Sequence, residues 1–211
     1  MDGRRVRGLR SRVEILDTAS RLMSQHGYDR TSIALISQES GLPTGSIYHH
    51  FGSKPAILAA VMERGAQRFF EAAEYEPSPS HDPYDRLAHA LDAARQSLAR
   101  NEEFLRLLFL LLLSNDNDDA AEVVRRVRTQ GRERLRLVIQ DAFAPEGERA
   151  AQDVADQLVD FALATFDGIF IAAQFDPALV YRSGFDTMAL SISDLGRRIL
   201  DTAQRPATRT S

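Results

Sequence analysis

Cysteine is absent from the 211 residues, which excludes disulfides, thiolate zinc sites and cysteine nucleophiles together. Long apolar runs are missing too. The most apolar stretch, residues 107–113, falls far short of the roughly 20 residues a membrane-spanning helix needs. The Arg-rich N-terminus has no apolar run behind it and does not read as a secretory leader. There is no apolar/polar alternation bounded by hairpin turns, no internal repeat and no low-complexity tract. No phosphate loop, metal-ligand cluster or nucleophile–base pair stands at recognisable spacing, so no enzyme activity, cofactor or metal is expected. His49 and His50 do not make a metal pair, because neighbours on a helix diverge. Charge of either sign is nearly balanced, 26 Lys+Arg against 30 Asp+Glu, a net −4. What remains is a soluble, cytoplasmic protein of ordinary globular composition, 44% hydrophobic and 27% charged.

Apolar residues recur three and four apart almost throughout, which predicts an all-α fold. A first helix is expected near Ser11, where Ser11 and Glu14 have capping-box spacing. Its buried face would be Ile15, Leu16, Ala19, Leu22 and Met23, and Gly27 would end it. Thr31 or Ser32 caps a short second helix stopped by Gly41. A third runs from about Pro43 to Tyr48, and Ser53–Lys54–Pro55 opens a fourth, reaching about Ala73. Residues 74–82 read as the clearest loop, with Asp82 and Pro83 starting a fifth helix. Helices then follow near 102–114, 120–143, 149–174 and 185–203, with an acidic break at 115–119 and a frayed tail from Arg205.

The whole-chain charge conceals an asymmetry. Residues 1–64 hold nine basic and six acidic side chains, net +3; the other 147 hold 17 and 24, net −7. Arg4, Arg5, Arg7, Arg10 and Arg12 crowd a basic arm over residues 1–12. Behind it, two short helices around a Gly-containing turn form a helix-turn-helix pattern. Thr44, Gly45 and Ser46 supply the small and polar residues that let a helix end enter a major groove. Thr31, Ser32, Tyr48, His49 and Lys54 are of the right type to hold phosphates along the groove walls. Ile33, Ile36, Leu42, Ile47 and Phe51 would form the buried side.

The segment from His26 to Leu58 resembles the N-terminal signature of TetR-family transcriptional regulators. The matching elements are Gly27–Tyr28, Thr31–Ser32–Ile33, Ile36, Gly41, Gly45–Ser46–Ile47–Tyr48, His50–Phe51 and Ser53–Lys54. The specific likeness covers about the first 60 residues; beyond it only helix number, order and length agree. Pro43 departs from the pattern, standing where many members carry a Ser or Thr cap, and such a lost cap costs typically about 1 kcal/mol.

The resemblance implies a three-helix DNA-binding domain over 1–60 and a helical-bundle effector-binding and dimerisation domain over 61–211. It also implies a homodimer that binds a palindromic operator of double-stranded DNA and is released by a small, largely apolar effector, acting as a repressor. Pro43, Thr44 and Gly45 would face bases, with Thr31, Ser32, Ser46, Tyr48, His49 and Lys54 on phosphates. The arm residues Arg4, Arg5 and Arg7 lie outside the motif and would enter a minor groove or add nonspecific affinity. Phe104, Leu108, Phe109, Phe161, Phe166 and Phe170 are the candidate effector lining. The last two long helices would pair with a second copy through Val154, Leu158, Ala162, Thr165, Ile169, Met188, Ala189, Ile192, Leu195, Gly196 and Ile199. Core packing competes with both assignments at every apolar position. An effector-independent DNA organiser and a helical protein-interaction adaptor are the alternative functions.

Overall fold

The computed structural model describes the backbone of residues 3–113 and 118–204, and side chains there except at 3–5, 118, 119, 177–182 and 204. Among the described residues there is no strand. The helices are α1 (Gly3–His26), α2 (Ile33–Ser40), α3 (Thr44–Phe51), α4 (Lys54–Ala72), α5 (Pro83–Arg100), α6 (Glu102–Leu113), α7 (Asp118–Ala142), α8 (Glu148–Ala173) and α9 (Pro177–Gln204), with a 3-10 turn at Ala144–Glu146. Of the break expected at 115–119, residues 115–117 lie outside the described residues while 118–119 already open α7; the tail from Arg205 also lies outside them.

Two helices begin earlier than their patterning predicts. Ser11 is inside α1 rather than at its start, the Arg and Leu residues before it favouring helix and carrying it through Gly8. The capping-box spacing of Ser11 and Glu14 is therefore not used as a cap. Pro177 opens α9 well before Phe185, in the first-turn position where a missing N–H costs nothing.

The chain forms two compact units, neither of them a contiguous segment. One comprises residues up to Phe70 together with Arg100–Arg128; the other comprises Glu71–Ala99 and the chain from Thr129 onward. In the first unit, α1 packs on α2, α3 and α6. The expected α1 face is the buried one, with Ile15, Leu16, Ala19, Leu22 and Met23 all within the core. Ile36 of α2, Ile47 of α3 and Ile57, Leu58 and Met62 of α4 are fully buried as well. Ion pairs brace these helices, Arg21–Glu39 at 3.0 Å and Arg64–Asp17 at 2.8 Å.

The second unit is built on the pairing of α8 with α9. Fully buried Phe143 lies against Gly196, where an added Cβ would sit 2.1 Å from the ring Cζ. Phe166 meets Phe185 edge-on at 5.9 Å. Arg86 ties the segment between α4 and α5 down. Its Nη1 donates to the carbonyls of Ser78 (2.6 Å) and Ser80 (3.1 Å), while Nε and Nη2 donate to the Asp141 carbonyl (2.9 Å) and Oδ1 (2.8 Å). A rigid planar fork suits four such acceptors as an ammonium would not. Beside it, burial foremost and the charge of Asp141 next push the Tyr75 hydroxyl up to about 12.

The expected dimer face needs correction. Val154, Ala162, Met188, Ala189, Ile192 and Gly196 are buried within one chain and offer no surface to a second copy, while Leu158 and Ile169 keep only 7% exposure. Thr165 and Ile199 are half-buried, and only Leu195 is exposed. Among the described side chains of α8 and α9, Phe161, Ile171 and Leu190 are also large, apolar and exposed. Periodicity locates an apolar stripe, but a helix with two such stripes does not declare which one meets its own neighbour.

The effector lining also divides. Phe104, Leu108 and Phe109 fall in the first unit, and Phe161, Phe166 and Phe170 in the second. Phe104 packs on Phe69, with ring centroids 6.1 Å apart, and on Gly65, where a Cβ would approach to 2.4 Å. Leu108, Phe166 and Phe170 are buried, and Phe109 is half-buried. Phe161 is 42% exposed and points out of its unit instead of lining an interior.

Arg125, Arg128, Arg132 and Arg136 recur three and four apart along α7, and ion pairs hold several of them. Arg132 reaches Asp160 at 2.7 Å and Arg136 pairs with Glu133 at 2.9 Å. Exposed pairs of this kind add little to stability, because water screens them.

Candidate nucleic-acid interface

The turn between α2 and α3 is short because Gly41 takes φ +69°, a left-handed value that an L side chain resists. Two hydroxyls then fix the crossing. Ser37 Oγ donates to the Leu42 carbonyl at 2.7 Å, and Thr44 Oγ1 donates to Ser37 Oγ at 3.4 Å. Pro43 starts α3 with φ −58° and no side-chain cap, as its missing hydroxyl requires. Pro43, Thr44 and Gly45 are all exposed, and nothing lies within 4 Å of a Cβ built on Gly45. A base edge or phosphate can approach the backbone there without obstruction.

Around this helix start stand the expected phosphate partners. Ser32 caps α2, its Oγ accepting from the Leu35 N–H at 3.0 Å, and remains exposed. Ser53 does the same for α4, accepting from Ala56 N–H at 3.3 Å. Helix N-termini capped this way carry partial positive charge, which favours phosphate. Tyr48 is 52% exposed, His49 is exposed, and Ser46 and Lys54 are half-exposed. Thr31 does not belong with them. It is 0% exposed, its Oγ1 donates to the Gly27 carbonyl at 2.9 Å, and it closes the α1–α2 turn from inside.

The basic arm is a helix, not a strand-like tail. Residues 3–12 are the first turns of α1, with Arg7, Arg10 and Arg12 exposed; the side chains of Arg4 and Arg5 lie outside the described ones. An α-helix about 10–12 Å across does not enter a minor groove roughly 6 Å wide. The arm therefore suits contact along the phosphate backbone, the second of its two expected roles.

Two contacts escaped sequence reasoning. The Arg12 guanidinium carbon lies 5.1 Å from the Phe51 ring centroid, joining α1 to the end of α3. Lys54 Nζ lies 4.2 Å from the Tyr28 ring centroid and donates to the Asp29 carbonyl at 3.2 Å. Neither pair has a spacing that periodicity detects. Among the described residues no group of three or more His, Cys, Asp or Glu converges on a metal-sized site. No described helix is long and apolar enough to cross a membrane.

Residues 15–61, which include every element just described except the arm, match the family model of bacterial regulatory proteins of the tetR family. That segment carries the tetR-family match, and the rest of the chain lies outside it. The HTH-type transcriptional repressor Rv1474c of Mycobacterium tuberculosis is 31% identical over 103 residues, 45% of this chain and 54% of that protein. The matched stretch thus spans about half the length of that relative. The probable acrEF/envCD operon repressor of Escherichia coli is 27% identical over 167 residues, 77% of this chain and 73% of its own. Among solved structures, a transcriptional regulator from Saccharomonospora viridis in complex with choline has a TM-score of 0.64 at 20% identity, covering 88% of this chain and 95% of its own. The SmeT–triclosan complex has a TM-score of 0.61 at 21% identity, covering 90% of each. At such identities these two structures establish the fold alone.

Proposed function

We propose that the chain is a ligand-responsive transcriptional repressor that binds a palindromic operator in double-stranded DNA as a homodimer. The observation that carries this reading is the unobstructed N-terminal face of α3, with Pro43, Thr44 and Gly45 exposed and no Cβ contact above Gly45. Ser32, Ser46, Tyr48, His49 and Lys54 hold phosphates beside it, and the helical arm with Arg4, Arg5 and Arg7 follows the backbone. Thr31 acts from within the turn. The protein works in the cytoplasm and is not an enzyme.

Self-association uses the outer faces of α8 and α9, where Phe161, Ile171, Leu190 and Leu195 are exposed. An open groove of about 880 Å³ runs there past Arg149, Leu158, Leu195, Arg198 and Ile199. A small, largely apolar effector releases the DNA; the choline and triclosan complexes of similarly folded regulators support an organic ligand of this size.

Selection from random duplexes, followed by a salt titration of the winning sequence, tests the reading. Lys54→Ala should weaken all sequences about equally and lower the salt slope by about 0.9. Thr44→Ala should change preference at one operator position, by about 1–3 kcal/mol of discrimination. Absence of any sequence preference at moderate salt would reject the repressor reading.

A further inference from the structure

We infer that Tyr28 is a positioning residue, holding Lys54 in place for a DNA phosphate; the role rests on the DNA-binding reading above. Lysine occurs once in the whole chain, against 25 arginines, and that one lysine opens α4. Its ammonium lies 4.2 Å from the centroid of the Tyr28 ring and 3.2 Å from the Asp29 carbonyl oxygen. Both acceptors come from one turn, whose shape is set elsewhere. Gly27 has φ +84°, the Thr31 N–H donates to the Tyr28 carbonyl at 3.1 Å, and Thr31 Oγ1 donates to the Gly27 carbonyl. Tyr28 is only 7% exposed, so its ring is a fixed surface and not a mobile neighbour.

The chemistry follows from the donor count. An ammonium has three N–H donors on a flexible four-carbon stem. The Asp29 carbonyl takes one, and the ring attracts the cation without consuming a lone-pair contact. Lys54 therefore keeps donor capacity for a phosphate oxygen while its stem is already ordered. The entropy of immobilising that stem is lost on folding, not on binding DNA, which raises affinity without any new contact. The ammonium also bridges the turn that leads to the capped start of α2 and the capped start of α4, so one cation links two helix N-termini facing phosphate.

Lysine-selective isotope labelling gives a single side-chain spin system in this protein. The expected result is an upfield ring-current shift of the Lys54 ε-methylene protons in the wild type and in Tyr28→Phe, lost in Tyr28→Leu. The wild-type spectrum needs no variant, so it decides the contact even where Tyr28→Leu fails to fold. Affinity for a duplex of random sequence then supplies a double-mutant cycle. Tyr28→Leu should weaken binding about two- to fivefold, the scale of an exposed cation–π contact, while having no effect once Lys54→Ala is in place. An unshifted wild-type lysine signal overturns the inference, as does an equal Tyr28→Leu penalty with and without Lys54. A shifted signal in a protein that binds no duplex instead removes the DNA-binding reading, and this role with it, leaving only the contact.

Discussion

Gly196→Ala should destabilise the protein, although a helix interior ordinarily favours alanine over glycine by about 1 kcal/mol. The reason is Phe143. A Cβ on Gly196 would lie 2.1 Å from Cζ and under 3 Å from both Cε atoms of a ring that is itself 0% exposed. The ring tip cannot swing into space, so it must shift by more than an ångström or push α9 away. Overpacking of this kind costs typically about 1–3 kcal/mol, which outweighs the propensity gain or at least cancels it. Phe143→Ala alone should cost about 3–5 kcal/mol, as for other buried aromatics. In that background the methyl of Gly196→Ala enters the vacated volume, so the same substitution should now stabilise, by about 1 kcal/mol. Urea unfolding followed by far-UV circular dichroism, at one fixed protein concentration, measures all four combinations. The decisive feature is the change of sign. If Gly196→Ala stabilises equally with and without the Phe143 ring, close approach is not what glycine provides here, and the packing argument fails.

The remaining expectations concern other parts of the molecule. Tyr75 should ionise late, since burial foremost and Asp141 next raise it to about 12. A folded value raised above the usual 10 means its stabilising contribution is intact below pH 10 and lost as pH climbs through 12. Phenolate absorbance against pH reads this directly in a chain without tryptophan, and Tyr75→Phe should delete the late step. Thr31→Val should lower stability by about 1–3 kcal/mol through an unsatisfied interior carbonyl, yet leave the salt dependence of DNA binding unaltered; a reduced slope would return Thr31 to the phosphate contacts. Leu190→Glu should shift sedimentation toward the monomer while preserving helicity, whereas Ala189→Glu, one residue away but buried, should unfold the chain.

Local chemistry made the DNA-reading region legible. Gly41, Ser32 and Pro43 each do in the structure what their backbone preferences dictate, and the α1 stripe from Ile15 to Met23 is buried as its spacing requires. Such signals survive folding because they concern residues within one turn of each other. Thr31 shows the limit: a hydroxyl beside an exposed cap is chemically suited to phosphate, but only the fold reveals that it points inward. The α8–α9 seam failed for a related reason. Gly196 is small because Phe143 of the same chain comes close, and sequence spacing carries no label distinguishing that neighbour from a second copy. α1 begins ahead of its cap signature, at Gly3 rather than near Ser11, because a capping-box spacing inside a helix looks the same as one at its start.

The discontinuity of the two compact units bears on how this protein can be rebuilt. Exchanging a DNA reader between relatives is a single cut-and-join only if the reader is one segment. Here the unit that contains α2 and α3 also owns Arg100–Arg128, and α1 packs on α6 from that second stretch. A graft ending at Phe70 would carry the reader away from part of its own support, exposing apolar surface on α1. A soluble chimera must therefore transplant two segments in register, and a proteolytic nick in residues 73–82 would still leave the units joined at two other points.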